Sequence, residues 1–110
     1  AWGGPQRNHL GSNGSCWREM ELHPGDLVVA IHASGTPASG VWPEMVVYLD
    51  ESQIGAVTID RPDTYSFQAR VERVGVHRLS AVFVNDSSSS EQEDRNLIIG
   101  HAAVEYVRIR

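Results

Sequence analysis

From Cys16 onward, apolar and polar residues alternate in short runs separated by turn-forming residues, the period-two pattern of strands with one buried and one wet face. "CWREMEL" leads into the turn "HPGD". "LVVAIHA" then sets Leu27, Val29, Ile31 and Ala33 on one face and Val28, Ala30 and His32 on the other, as in a central strand. "MVVYLD" and "QIGAVTI" flank the polar connection Glu51-Ser52, whose length suits a hairpin. "TYSFQARVERV" alternates Tyr65, Phe67, Ala69 and Val71 against Ser66, Gln68 and Arg70, and "HRLSAVFVN" alternates Leu79, Ala81 and Phe83 against Ser80, Val82 and Val84. "LIIG" and "AVEYVRI" supply the last pairing material. No window carries apolar residues at helical spacing, and Gly or Pro interrupts every longer one. The pattern predicts an all-β domain of about seven to nine short antiparallel strands. The expected architecture is a jelly-roll-like β-sandwich, with function carried on the loops at its ends.

The 110 residues, 41% hydrophobic and 21% charged, fit one globular domain, 1–110, with an irregular N-terminal segment, 1–12. A net charge of −5 with scattered basic residues argues against nucleic acid. No apolar run approaches the roughly 18 to 20 residues that cross a bilayer, so no membrane partner is expected. Cys16 has no second cysteine to pair with and reads as a partly buried small side chain, while Trp17, inside an alternating run, reads as core. The start at Ala1 without Met and the strand-like end "VEYVRIR" read as a module processed from a larger protein.

Three loops are not accounted for by folding: "GGPQRNHLGSNGS", "SGTPASGVWP" and "FVNDSSSSEQEDRNL". The last holds Asp86, Glu91, Glu93 and Asp94 with the side-chain oxygens of Asn85, Gln92 and Asn96, and such hard donors suit calcium, which takes about six to eight oxygens. The loop does not fit the EF-hand template, and charge runs more often face water, so composition leaves a solvated loop and a cation cradle both open. Asp94-Arg95-Asn96 passes directly into "LII", which would hold a carboxylate stiffly at a strand start. Structural zinc is not indicated, since there is no Cys pair and no HExxH spacing. Trp42, in "GVWP", is either a loop plug or a face for a flat ligand. His9, His23, His32, His77 and His101 read as turn or surface residues. There is no G-x-S-x-G elbow, and a small sandwich without a deep cleft is a poor host for catalysis, so no enzyme is expected.

"ASGTPASGVWPEMVVYLD" together with "FVNDSSSSEQEDRNLII" resembles the calcium-dependent carbohydrate-binding modules of the xylan-binding type, families 36 and 60, over roughly Asn13 to Ile109. The resemblance implies a β-sandwich with Ca2+ at one end that coordinates vicinal hydroxyls of a polysaccharide such as xylan or another β-glycan. Carried over by position, Asp86 and Asp94 are the carboxylate ligands and the Arg95 carbonyl, or one nearby, is a backbone ligand. Trp42 would lie beside the site, Gly40 would give the loop its close approach, and Asn85 and Asn96 would flank the sugar, with Glu93 and Glu44 as secondary candidates. A secreted, monomeric, non-catalytic module that targets an attached enzyme in a multidomain protein is the implied context. Two stretches depart from the pattern. "SSSSEQ" replaces aromatic and Asp-Pro-type residues, and "IIGHAAVEYV" is long, with His101 as a site neighbour or a bulge residue. The rival readings are an adhesive or protein-interaction sandwich with a purely structural calcium, and a small hydrolase, which would need two facing carboxylates.

Overall fold

A computed structural model describes residues 9–10, 14–85 and 95–107. Its strands are β1 (His9–Leu10), β2 (Gly14–Leu22), β3 (Gly25–Thr36), β4 (Glu44–Leu49), β5 (Ser52–Thr58), β6 (Asp63–Val71), β7 (Gly75–Phe83) and β8 (Asn96–Tyr106). They form two four-stranded antiparallel sheets, ordered β1-β8-β3-β6 and β2-β7-β4-β5. No helix occurs among the described residues, as the alternation predicts. His9–Leu10 pairs with Ile98 and Leu97, so a short strand lies within the segment expected to be irregular.

The inner faces are those the alternation marks. Val29, Ile31 and Ala33 of β3 and Leu79, Ala81 and Phe83 of β7 have no solvent exposure and meet Met45, Val47, Leu97 and Ile99 between the sheets. Each such large side chain contributes about 1.5–3 kcal/mol by leaving water. Leu22, Leu27, Leu49 and Val71 form a smaller cluster toward one end.

The face of β2 differs from expectation. Cys16 is the inward residue, fully buried, and burial pushes its thiol up to about 12, which leaves it unreactive. Trp17 therefore points outward, half-buried, with the Arg78 guanidinium 4.2 Å above its ring. An inward Arg18 is tolerated because β2 is an outer strand, from which Nη1 reaches the Ala102 carbonyl of the opposite sheet at 3.1 Å.

One connection lies a residue away from its expected place. The β4–β5 turn is Asp50-Glu51 rather than Glu51-Ser52, with Asp50 at φ 56°. β8 is continuous through the long "IIGHAAVEY", and its register against β3 slips between Ile31 and Ala33. The extra residue falls around His101, whose ring stacks on His32 with centroids 6.1 Å apart, so His101 belongs to the bulge.

Candidate functional site

The end of β3, the starts of β4 and β8 and the end of β7 meet at one end of the sandwich, and the loops expected to carry function leave from there. The loop between β3 and β4 closes on itself. Ala38 and Val41 exchange N–H···O bonds of 3.0 and 2.9 Å around Ser39 (φ 52°) and Gly40 (φ 76°), two successive left-handed residues that form a tight reverse turn. Gly40 is needed for that φ, not for space, since nothing lies within 4 Å of where a Cβ would stand. A close approach within the chain occurs at Gly35, where a Cβ would strike the Pro43 ring and come to 2.9 Å from the Asn96 carbonyl.

Arg95 is the only buried charged residue among the described residues, at 6% exposure. Its guanidinium donates from Nε to the Val41 carbonyl at 2.8 Å, from Nη2 to the Ala38 carbonyl at 3.0 Å, and from Nη1 to the Asn85 carbonyl. One side chain thus joins the β3–β4 loop to the end of β7 and the start of β8. Burying a charge is costly unless its hydrogen bonds are made, and here the rigid guanidinium fork meets three carbonyls.

Asn85 completes the bracket. Its Oδ1 accepts the Glu44 N–H at 2.7 Å while its Nδ2 donates to the Trp42 carbonyl at 3.0 Å, so one amide ties both sides of Pro43. Asn96 Nδ2 donates to Thr36 Oγ1 at 3.1 Å, across the ladder where the two residues pair. Trp42 and Glu44 are half-buried.

Gly40, Trp42, Glu44, Asn85, Arg95 and Asn96 are therefore brought to one end of the molecule. Asp86, Glu93 and Asp94 lie outside the described residues, as do the serines between them. Among the described residues no group of three or more His, Cys, Asp or Glu side chains could hold a metal ion. The side chains of Asn85 and Arg95 act on the backbone. Sequence reading missed this because the acceptors, Ala38, Val41 and Trp42, take part through carbonyls that any residue type possesses.

None of the curated proteins compared matches the chain. In structure it is similar to the CBM36-1 domain of a multidomain xylanase from the hindgut metagenome of Trinervitermes trinervoides, with a TM-score of 0.67, 8% identity, and coverage of 99% of this chain and 88% of that one. It is also similar to TmCBM61 in complex with β-1,4-galactotriose, with a TM-score of 0.55, 12% identity, and coverage of 90% and 68%. At these identities the likeness is one of fold, and it confirms the sandwich. The family model described as "Ca-dependent carbohydrate-binding module xylan-binding" matches residues 28–110, a span that includes the Gly40–Glu44 loop, Asn85 and Arg95. On that match the chain belongs to CBM60, the family of Ca-dependent, xylan-binding carbohydrate-binding modules.

Proposed function

We propose that the loop end holds a calcium ion and, through it, vicinal hydroxyls of a polysaccharide such as xylan or another β-glycan, and that the module directs an attached enzyme to that polymer without itself being catalytic. The observation that carries this reading is the Arg95 Nη1 bond to the Asn85 carbonyl. It joins the two residues that immediately flank the acidic segment 86–94 in sequence, next to Trp42.

The donor chemistry fits a hard cation, with a division of labour. The carbonyls of Ala38, Val41 and Asn85 accept from the guanidinium, and on this reading the ligands are those the family resemblance implies, Asp86, Asp94 and Glu93 with the Arg95 carbonyl. A buried guanidinium repels a nearby cation, and the carboxylates of 86–94 are what can offset both charges. Bound calcium would supply coordination positions at which sugar hydroxyls replace water. Asn85 and Arg95 would hold the loop ends before ligand arrives, which lowers the ordering cost of binding. Trp42, Glu44 and Asn96 would border the sugar. Modest affinity suffices for a tethered module, because linkage raises the effective concentration of its ligand. The ligand class is extracellular, which favours a secreted protein.

The reading is tested by electrophoresis through gels containing soluble xylan. Wild-type protein is expected to be retarded with calcium and to run freely with EDTA, and Asp94→Ala should run freely in both while keeping its far-UV spectrum and melting temperature. Equal retardation with and without EDTA would overturn the calcium mechanism. Unfolding of the variant would assign the ion a purely structural role.

A further inference from the structure

β5 and β6 are outer strands of opposite sheets and are not hydrogen-bonded to one another. They touch where Phe67 packs so closely over Gly55 that a Cβ there would strike the ring. Beyond that contact, at the end remote from Arg95, they leave a cleft of about 560 Å³, within the range of small-molecule sites. Its floor is apolar, from Leu49, Ile54, Ala69 and Val71, and its rim carries Gln53, Gln68 and Arg73.

The charges around the cleft are nearly all paired. Asp50 accepts from His77 Nδ1 at 2.6 Å and from the Arg78 N–H at 2.9 Å. Arg70 is held by Asp26 at 3.1 Å and Glu72 at 3.7 Å. What remains is Arg73, whose guanidinium has no ion-pair partner among the described residues, although its carbonyl is fixed by His77 Nε2 at 2.8 Å. Nor do the Gln53 and Gln68 amides have side-chain partners among the described residues. The cleft thus offers one guanidinium without an ion-pair partner among the described residues, two amides that both donate and accept, and an apolar floor.

That set matches a carboxylate on a polyhydroxylated ring. A guanidinium binds a carboxylate in bidentate fashion, amides answer hydroxyls that both donate and accept, and the ring's C–H face suits the floor. A peptide strand adding to β6 is disfavoured by Arg70 on that outer strand and by Glu72 just past its end, charges of the kind that block edge pairing. We propose that the cleft between β5 and β6 is a second, cation-independent saccharide site that takes a hexuronic acid, with Arg73 pairing its carboxylate and Gln53 and Gln68 its ring hydroxyls. The site stands apart from the loop end and does not depend on the calcium reading.

The test is an amide NMR titration of the whole ¹⁵N-labelled chain in EDTA, with methyl β-D-glucuronoside and, separately, methyl β-D-glucoside. The glucuronoside is expected to shift the signals of Gln53, Gln68 and Arg73, and to bind about tenfold more tightly than the glucoside, the value of a charge-assisted contact. Arg73→Gln, a change on an exposed side chain, should reduce glucuronoside affinity to that of the glucoside while leaving the rest of the spectrum in place. The proposal is overturned by equal affinity for both glycosides, by full affinity in Arg73→Gln, by shifts centred on Trp42, or by no shifts.

Discussion

At the loop end a buried guanidinium with three carbonyl partners joins three stretches of chain; at the opposite end an imidazole and a carboxylate join two turns. His77 can satisfy Asp50 Oδ2 and the Arg73 carbonyl together only by donating from both ring nitrogens, as the imidazolium. The His77 ring is accordingly held above its ordinary value by the Asp50 hydrogen bond and the Arg73 carbonyl. Burial pushes Asp50 up, but the Arg78 N–H and the His77 ring outweigh it and hold the carboxyl below its usual range. Guanidinium groups keep their charge throughout the range in which proteins are studied, whereas imidazoles do not. The difference teaches that this sandwich fixes the loops at one end with an interaction pH does not release, and closes its other end with one that pH does.

The largest effect is expected from Arg95→Ala, which empties a buried site, leaves the Asn85 carbonyl without the guanidinium and the Ala38 and Val41 carbonyls with only each other's N–H, and should lower stability by about 3 kcal/mol in urea unfolding. Arg95→Lys should recover only part, because an ammonium cannot span acceptors on three segments. Gly35→Ala drives a methyl group against Pro43 and the Asn96 carbonyl and should cost about 2 kcal/mol. Asn85→Ala, which strips partners from the Glu44 N–H and the Trp42 carbonyl, should cost about 1.5 kcal/mol.

The smallest effect belongs to His77→Gln, at no more than about 1 kcal/mol, because Asp50 is half-exposed and screened. It alone should depend on pH. The His77 value is raised in the fold, so its contribution is fully present below 6.5 and is lost as pH rises through that raised value. The Asp50 value is lowered, so its contribution is present above 3.8 and is lost as pH falls through the lowered value. Melting temperatures of wild type and His77→Gln should converge on the alkaline side, while the Arg95→Ala deficit stays constant. A His77→Gln deficit unchanged by pH, or an Arg95→Ala deficit that varies with it, would erase the distinction between the ends.

Much of the fold was legible because burial imposes a parity that β3, β6 and β7 display over Leu27 to Ala33, Tyr65 to Val71 and Leu79 to Phe83. β2 misled at Trp17 because its inward set contains Arg18, a residue an outer strand can accommodate by reaching the rim and which blurs the parity that Cys16 obeys. At the loop end, Gly40, Trp42, Asn85 and Arg95 were marked by their motifs, but what holds them together was not. Arg95 and Asn85 act through the carbonyls of Ala38, Val41 and Trp42, and the identity of those residues carries no trace of that role. The cleft between β5 and β6 was illegible for a related reason: Gln53, Gln68 and Arg73 come from different strands and turns, and only the pairing of Asp50 and Arg70 elsewhere singles out Arg73.

The central claim is that sugar binding needs a cation held between the tethered ends of the acidic segment. Isothermal titration of xylohexaose into the protein, first with calcium, then after chelation, then with calcium restored, tests it most directly. Binding heat that appears, vanishes and returns is the predicted result, and an isotherm unchanged by chelation would contradict the account.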